Sequence, residues 1–209
     1  TDVAATSEAL QLAVSSATSE SFNRITVDSD TSTSDTVLLF STGAAGNDPI
    51  DGPDHPAWAD FSSAVFEVCL DLAHQIVRDG EGATKFIEVH VEGAVSDESA
   101  EIVARSIADS PLVKTAMAAQ DANWGRIVMA VGKAGEPADR DKLAIWIGEE
   151  QITEAGIVHP DYSEDRANMF LQEDEIVVRV DMGMGDGSAS IWTCDLTHGY
   201  IEINAGYRS

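Results

Sequence analysis

Residues Phe22 to Thr36 read FNRITVDSDTSTSDT and join a strand-like pattern to a very polar turn. Arg24 to Val27 alternates polar and apolar side chains, which is typical of a half-buried strand. Asp28 to Asp35 then places three carboxylates and five hydroxyl groups within eight residues. A solvated surface loop could have the same composition, so both a structural and a catalytic interpretation are open.

Outward from this stretch, the hydrophobic pattern predicts α/β architecture in the first third of the chain. A helix capped by Thr6 or Ser7 comes before it. Thr36 to Thr42, TVLLFST, follows it and is apolar on both faces, which predicts a strand in the centre of a sheet. Ala57 to Arg78 predicts a long helix that lies across the sheet, with one apolar face made of Phe61, Val65, Val68, Leu72 and Ile76.

The remaining chain predicts further strands and helices. Strands are expected at 86–91, 143–147, 175–181 and 188–196, and helices after the Ser96 cap and at 111–119, 124–133 and 162–172. The last two strands are joined by MGMGDG, whose glycines favour a hairpin turn. The tail THGYIEINAGYRS is apolar enough that we expect it to dock. The fold prediction is therefore two α/β lobes, residues 1–84 and 85–209.

Length and composition limit the class of protein. With 209 residues and 44% apolar content, the chain can bury a substantial core. It contains no run of 18 apolar residues and no signal-peptide pattern. Cys69 and Cys194 lie in hydrophobic surroundings, which indicates buried thiols rather than a disulfide. We therefore expect a cytoplasmic protein.

The formal charge of -25 arises from 37 acidic residues against 12 lysines and arginines. Such a surface repels phosphate backbones and anionic membranes, so we expect neither nucleic acid nor membrane as a partner. Strong acidity with few lysines is also compatible with a cytosol of high ionic strength, where screening shortens the range of self-repulsion. Salt adaptation is the hypothesis that follows.

Several local motifs point to competing chemistries. Asp28, Asp30 and Ser32 match the first ligands of a calcium loop, but Thr33 and Leu39 stand where that loop requires Gly and Glu, so an EF-hand is excluded. The same residues imitate the DxDxT motif of phosphatases, in which Asp28 would be the nucleophile beside a magnesium ion. This is the main enzymatic alternative.

Other candidate motifs favour structural roles. Gly183, Gly185 and Gly187 resemble a phosphate loop, but an alternating strand follows them where a cradle requires a helix. The five histidines show no metal-ligand spacing, and no GxSxG elbow is present. Glu81, between two glycines, is a solvated turn acid or a binding carboxylate. Asn204 and Ser209 belong to the short tail.

Four segments of the sequence together resemble the beta chain of ornithine acetyltransferases, also called glutamate N-acetyltransferases. They are FNRITVDSDTSTSDT, EGATK at 81–85, DANWGR at 121–126 and TCDLTHGYIEINAGYRS at the C-terminus. The matches occur in order along the whole chain. The resemblance implies a two-lobed fold with N-terminal-threonine-nucleophile chemistry, in which residues 1–84 form part of the nucleophile lobe and the tail returns to the active-site cleft near Glu81.

The resemblance also implies an activity and partners. The expected reaction of arginine biosynthesis moves acetyl from N2-acetylornithine to glutamate through an acetyl-threonine. The expected partner is the alpha chain, released by autocatalytic cleavage of the same precursor, in an α2β2 heterotetramer of two alpha and two beta chains. No cofactor is expected, and use of acetyl-CoA as a second acetyl donor stays open.

Site residues carry over one by one. Glu81 matches the family's substrate-contacting glutamate, and Asn204 and Ser209 match its C-terminal Asn and hydroxyl residue, where Thr is commoner. Thr1 and Asp2 match a Thr-Asp pair that follows the nucleophile, so the nucleophile is expected upstream of Thr1 and no catalytic residue is assigned here. Ser29 and Ser34 depart from the usual Gly and Asn.

Two alternatives to the acetyltransferase remain. One is a related self-processing amidohydrolase or aminopeptidase, which shares the nucleophile but releases its product to water. The other is a non-catalytic half-chain, inactive when isolated. Acetyl transfer measured against plain hydrolysis, in the presence of an alpha chain, distinguishes the three.

Overall fold

The computed structural model describes residues 1–207 and divides them into two compact units. The first contains Thr1–Ile25 and Thr31–Ile76. The second contains Thr26–Asp30 and the chain from Val77 onward. The first half of the acidic turn in FNRITVDSDTSTSDT therefore belongs to the second unit.

The first unit begins with helix α1, Ser7–Glu20, as predicted. The Thr6 hydroxyl accepts the Ala9 N–H at 3.2 Å and caps the helix. Its buried side is small, with Ala9, Ala13 and Ala17 at helical spacing. A 3-10 turn, Phe22–Arg24, follows where the sequence predicts a strand from Arg24 to Val27. That prediction is wrong because the chain keeps turning after α1, with the Arg24 N–H donated to the Ser21 carbonyl at 2.9 Å.

Helix α2, Trp58–Arg78, confirms the predicted long helix but not its single buried face. Val68, Leu72 and Ile76 are exposed, and the buried positions are instead Phe61, Cys69, Ala73 and Val77. Apolar residues cover more of the helix than one buried face can take. Phe61 of the predicted face is buried with Cys69, Ala73 and Val77, whereas Val68, Leu72 and Ile76 of that face remain at the surface.

The segment Thr36–Thr42 does not form the central strand that its apolar pattern predicts. Leu39 packs against the core of the first unit, formed by Ala13, Ile50 and Phe61. Its neighbours Leu38 and Phe40 are 69% and 70% exposed. The Thr1 nitrogen donates to the Phe40 carbonyl, but no N–H of residues 37–39 has a backbone partner within the described chain. The prediction is wrong because, among residues 1–207, no strand lies beside the segment.

The second unit is built on a six-stranded sheet of order β4-β3-β2-β5-β1-β6. β1 is parallel to β5 and antiparallel to β6, and the other neighbours are antiparallel. The strands are β1 Phe86–Ala94, β2 Ala144–Ile147, β3 Glu150–Glu154, β4 Ile157–Val158, β5 Glu175–Asp181 and β6 Gly187–Cys194. Strands β3 and β4 were not predicted, since both are short and β3 is largely polar.

Among the described residues, five α-helices lie entirely within this unit. They are α3 Asp97–Ala108, α4 Pro111–Ala118, α5 Trp124–Lys133, α6 Glu164–Leu171 and α7 His198–Gly206. Ser96 caps α3 by accepting the Ser99 N–H at 3.2 Å, as predicted. Helix α3 packs on β1 and β6, and the shared core includes Val89, Val178 and Ile191, which are fully buried.

The glycine-rich segment MGMGDG joins β5 to β6 but does not form the predicted hairpin. β1 lies between those two strands, so the segment crosses the end of β1. The Met184 and Gly185 N–H groups both donate to the Gly93 carbonyl, at 2.6 and 2.9 Å. A Cβ on Gly187 would lie 2.2 Å from the Ser96 carbonyl carbon. The glycines are needed because the crossing passes so close to backbone, and not because they turn a hairpin.

Two other sequence predictions bear on the chain's class. Cys69 and Cys194 are both buried free thiols, as predicted. Among residues 1–207, no helix combines the length and the apolar character that crossing a bilayer requires.

Candidate functional site

Glu81 lies in a tight turn between the end of α2 and the start of β1. The Gly80 N–H donates to the Val77 carbonyl at 3.2 Å, and the Ala83 N–H donates to the Gly80 carbonyl at 3.0 Å. The Glu81 side chain is exposed, and no cation within the described residues pairs with it. A carboxylate just beyond a helix C-terminus opposes the helix dipole. Glu81 therefore presents an unneutralised charge that a cationic ligand could pair with.

The buried Asp195 carboxylate fixes the downstream side of this turn. Its oxygens accept the Thr84 N–H at 2.7 Å, the Thr84 hydroxyl at 2.6 Å and the Lys85 N–H at 2.9 Å. Asp195 is only 2% exposed and directly follows β6. These three donors satisfy hydrogen-bonding capacity that a buried carboxylate would otherwise lose on leaving water. The Glu81 turn is thereby tied to the end of β6.

The upstream side of the turn packs tightly. A Cβ on Gly80 would lie 3.0 Å from Val27 Cγ1 and 3.2 Å from Cys194 Sγ. Gly82 has φ +70°, and a Cβ there would lie 2.5 Å from both the Gly199 carbonyl carbon and the Tyr200 nitrogen. Glycine is required at position 82 both by its backbone dihedral and by this close approach. The first turn of α7 thus rests directly on the Glu81 turn.

Helix α7 is capped by Thr197, which also binds the Glu81 turn. The Thr197 hydroxyl accepts the Gly199 N–H at 3.1 Å and donates to the Gly82 carbonyl at 2.6 Å. The rest of the helix is exposed, including Ile201 and Ile203. The expected burial of the apolar tail is therefore not met in the described part of the tail, residues 198–207.

Tyr200 connects α7 to the acidic segment Thr26–Asp30. Its hydroxyl donates to Asp28 Oδ2 at 2.9 Å, and Asp28 Oδ1 accepts the Asp30 N–H at 2.9 Å. The hydrogen bond to Asp28 raises the pKa of Tyr200, followed by burial and by the charges of Asp28, Asp30 and Glu81. The phosphatase interpretation loses support because both Asp28 oxygens are engaged in holding the protein's own groups.

The predicted tail residues have different outcomes. Asn204 is exposed on α7, one turn after Tyr200, and its Nδ2 donates to the Tyr200 carbonyl at 3.1 Å. Ser209 lies outside the described residues. Glu81 and Asn204 are thus connected through the contact of Gly82 with the first turn of α7. Thr1 belongs to the first unit, and its hydroxyl accepts the Val3 N–H at 3.3 Å.

A buried lysine supports the same end of β6. Lys114 Nζ donates to the Thr193 hydroxyl at 2.7 Å and to the Cys194 carbonyl. Burial lowers the pKa of Lys114, and the charges of Cys194, Asp109 and Asp195 act in the opposite direction. The residue holds the strand end from which Asp195 reaches the Glu81 turn.

Sequence reasoning missed the residues that build this site around Glu81. Asp195, Thr197 and Lys114 received no role, although Asp195 and Thr197 lie within the quoted word TCDLTHGYIEINAGYRS. A carboxylate placed directly after an apolar strand was the one local signal for Asp195. The partners of Asp195 and Thr197 are more than a hundred positions away, so local spacing could not identify them.

A family model described as the ArgJ family matches residues 1–209 of the sequence. The chain belongs to the ArgJ family. A relative from Zymomonas mobilis, named arginine biosynthesis bifunctional protein ArgJ, is 60% identical over all of this chain and 51% of its own length. A relative of the same name from Ruegeria pomeroyi is 53% identical over all of this chain and 50% of its length.

The crystal structure of a protein with that name from Bacillus halodurans is also similar. It has a TM-score of 0.94 and 45% identity, over 99% of this ArgJ-family chain and 96% of that chain. The predicted α/β fold is therefore confirmed, and it is the fold of that ArgJ structure. The chain spans about half the length of the curated relatives it matches.

Proposed function

We propose that this chain is the beta chain of an acetyltransferase that moves acetyl from N2-acetylornithine to glutamate in arginine biosynthesis. Family membership supports the pathway, since the similar proteins carry arginine biosynthesis in their names. The observation that carries the proposal is the Glu81 carboxylate, exposed, unpaired within residues 1–207 and held in a turn by Asp195 and Thr197.

The proposed role of this chain is substrate binding. The Glu81 carboxylate accepts charge-assisted hydrogen bonds from the side-chain ammonium of ornithine. Asn204, on the helix that rests on the Glu81 turn, and Ser209 provide polar contacts to the same substrate. Residues 1–84 are proposed to form part of the nucleophile lobe, and residues 85–209 the smaller lobe whose tail reaches the cleft.

The proposed chemistry has two steps. A threonine hydroxyl attacks the acetyl carbonyl, the amide C–N bond breaks, and the ornithine amine leaves with a proton. The glutamate amine then attacks the acetyl-threonine ester, and the hydroxyl is restored. The family resemblance assigns this threonine to a position before Thr1. Within this chain, the Thr1 nitrogen and hydroxyl are already hydrogen-bonded to Phe40 and Val3.

The proposed partner is the alpha chain of the same precursor, in an α2β2 heterotetramer within the cytoplasm. The half-length match to relatives supports a second chain. The first unit also exposes two apolar surfaces, the segment Thr36–Thr42 and the α2 stripe of Val68, Leu72 and Ile76. Exposed apolar patches of this kind are typical of protein–protein contacts.

The test is co-expression with the alpha chain, followed by an assay of acetyl transfer to glutamate against release of acetate to water. Transfer is expected, and hydrolysis alone would favour the self-processing amidohydrolase or aminopeptidase. Absence of both activities would leave a non-catalytic half-chain. Addition of acetyl-CoA without acetylornithine measures whether it is a second acetyl donor.

Glu81 can be tested in the same assembly. We expect Glu81→Ala to weaken ornithine binding by about 1 to 3 kcal/mol, the cost of losing a hydrogen bond to a charged group. Glu149→Ala is the matched control, because Glu149 is also an exposed turn carboxylate that follows a glycine. Unaltered kinetics for acetylornithine and glutamate in Glu81→Ala would refute the role.

A further inference from the structure

Helix α7 is attached to the rest of the second unit by few polar contacts. Within residues 1–207, two side-chain hydrogen bonds join it to other elements, from Thr197 to the Gly82 carbonyl and from Tyr200 to Asp28. Both lie in its first turn or at its cap. Beyond them Ile201, Ile203 and Tyr207 are exposed, so hydrophobic packing does little to orient the helix.

The acceptor of the Tyr200 bond is itself firmly held. The Thr26 N–H donates to the Trp192 carbonyl on β6 at 3.0 Å, and the Thr26 hydroxyl donates to Asp109 Oδ1, after α3, at 2.6 Å. The Thr26 hydroxyl also accepts the Ser29 N–H at 3.2 Å. Asp28 is therefore presented from a segment fixed to the sheet, and not from a free loop.

Asn204 follows Tyr200 by one helical turn and is bonded to it. The Asn204 Nδ2 donates to the Tyr200 carbonyl at 3.1 Å, so any shift of Tyr200 moves Asn204 as well. The Thr197 bond alone fixes the start of the helix but leaves its direction free to pivot. Tyr200 follows Thr197 by three residues, which is nearly one helical turn. Its hydrogen bond to Asp28 is therefore the contact that fixes the direction of the helix.

We infer that Tyr200 is a positioning residue for substrate binding: its hydrogen bond to Asp28 orients α7 so that Asn204 reaches the substrate that Glu81 binds. The inference rests on the proposed function, in which Glu81 and Asn204 contact substrate. It gives the acidic stretch Asp28–Asp30 a role in binding that involves no metal and no nucleophile of its own.

The experiment uses the enzyme assembled with its alpha chain and the variant Tyr200→Phe, which removes only the hydroxyl. We expect KM for acetylornithine and glutamate to rise about tenfold with kcat unchanged, because a binding interaction common to ground and transition states is lost. Hydrogen exchange of the 198–206 amides should become faster. Tyr162→Phe is the matched control, since its ring packs on the core and its hydroxyl has no hydrogen-bond partner within the described residues.

A double-mutant cycle tests the specific contact. Asp28→Ala should raise KM to a similar extent, and the Asp28→Ala/Tyr200→Phe double variant should be no worse than Asp28→Ala, because the same bond is already absent. Asp28→Asn keeps a carbonyl acceptor for the phenol and should restore most of the affinity. Additive effects of the two single substitutions would contradict the assignment.

The outcomes separate this inference from the proposed function. Acetyl transfer by the wild-type assembly with unchanged KM in Tyr200→Phe overturns the inference and leaves the function intact, as does a fall in kcat without a change in KM. Absence of acetyl transfer by the wild type counts against the function. In that case unchanged hydrogen exchange of 198–206 in Tyr200→Phe still overturns the orienting role.

Discussion

Substitution of Gly82 by alanine should disturb the candidate site more than any other single methyl group added in its turn. At φ +70°, an alanine is in the left-handed region, which costs about 1 kcal/mol for a residue with a Cβ. The new methyl group would also lie 2.5 Å from the Gly199 carbonyl carbon and the Tyr200 nitrogen. Both atoms are backbone, so no side-chain rotation can relieve the overlap.

The overlap adds to the conformational cost in one of two ways. If α7 stays in place, overpacking adds about 1 to 3 kcal/mol. If α7 moves away, the hydrogen bond from Thr197 to the Gly82 carbonyl is lost, which costs about 1 kcal/mol. The total loss of unfolding free energy is therefore about 2 to 4 kcal/mol, and α7 becomes more mobile in the second case.

Gly135→Ala is the matched control, because Gly135 has φ +83° and nothing lies within 4 Å of its added Cβ. It should lose only the conformational contribution of about 1 kcal/mol. Denaturant unfolding of the assembled enzyme measures both variants, and hydrogen exchange of residues 198–206 reports on α7. Equal stability of the two variants, with exchange of α7 as in the wild type, would refute the close contact between the Glu81 turn and α7.

Three further outcomes are expected. Arg166 donates two hydrogen bonds to Glu150, at 2.8 and 2.9 Å, and these bonds lower the pKa of Glu150. Their contribution to the free energy of unfolding is therefore fully present above the ordinary carboxyl pKa. It is lost as the pH falls through the lowered pKa of Glu150. Glu150→Gln should therefore cost about 1 kcal/mol near neutral pH, since Arg166 is half exposed, and the difference from wild type should shrink in acid unfolding titrations. Phe40→Ser or Leu38→Ser should weaken association with the alpha chain in sedimentation experiments without destabilising the isolated chain; unchanged association would count against this surface. Because the charge is -25, the melting temperature should rise with salt, and a flat or falling trend would exclude salt adaptation.

Local pattern was sufficient for elements whose boundaries depend on nearby residues. Helix α5, Trp124–Lys133, has the predicted limits, and α3 has the predicted Ser96 cap, since capping and helical spacing involve residues only three or four positions apart. Strands β1 and β5 were found because they are short segments in which β-branched residues recur or alternate with polar ones, bounded by turn residues. These features are encoded in single windows of sequence.

Pairing between distant segments could not be predicted in the same way. The pattern of Thr36–Thr42 identifies an apolar segment, but it does not specify a neighbouring strand, and Leu38 and Phe40 are exposed. The glycines of MGMGDG indicate a tightly packed backbone, but the strand between β5 and β6 is β1, which precedes both by about ninety positions or more. In both cases the local composition was interpreted correctly and the neighbour was assigned wrongly.

The candidate site depends both on local sequence motifs and on contacts between distant segments. Glu81 and Asn204 were identified by the resemblance of their sequence motifs to those of the family. The residues around them are held by contacts between segments that are far apart in the sequence. Asp195 reaches Thr84, Thr197 reaches Gly82, and Tyr200 reaches Asp28 across most of the second unit's sequence. Side chains that fix a site from far along the chain carry no local signature, because a carboxylate or hydroxyl appears the same in sequence whether it is solvated or buried.

The stretch FNRITVDSDTSTSDT shows why polar contacts are suited to this task. Apolar packing of α7 would add stability but would allow the helix to slide or rotate, since the hydrophobic effect has no direction. A hydrogen bond from Tyr200 to Asp28 requires a defined distance and angle, so it fixes orientation although its net free energy is small. An acidic, hydroxyl-rich segment that contributes little to a core can therefore determine where α7 points, and this gives Asp28 a role without assigning it any chemistry.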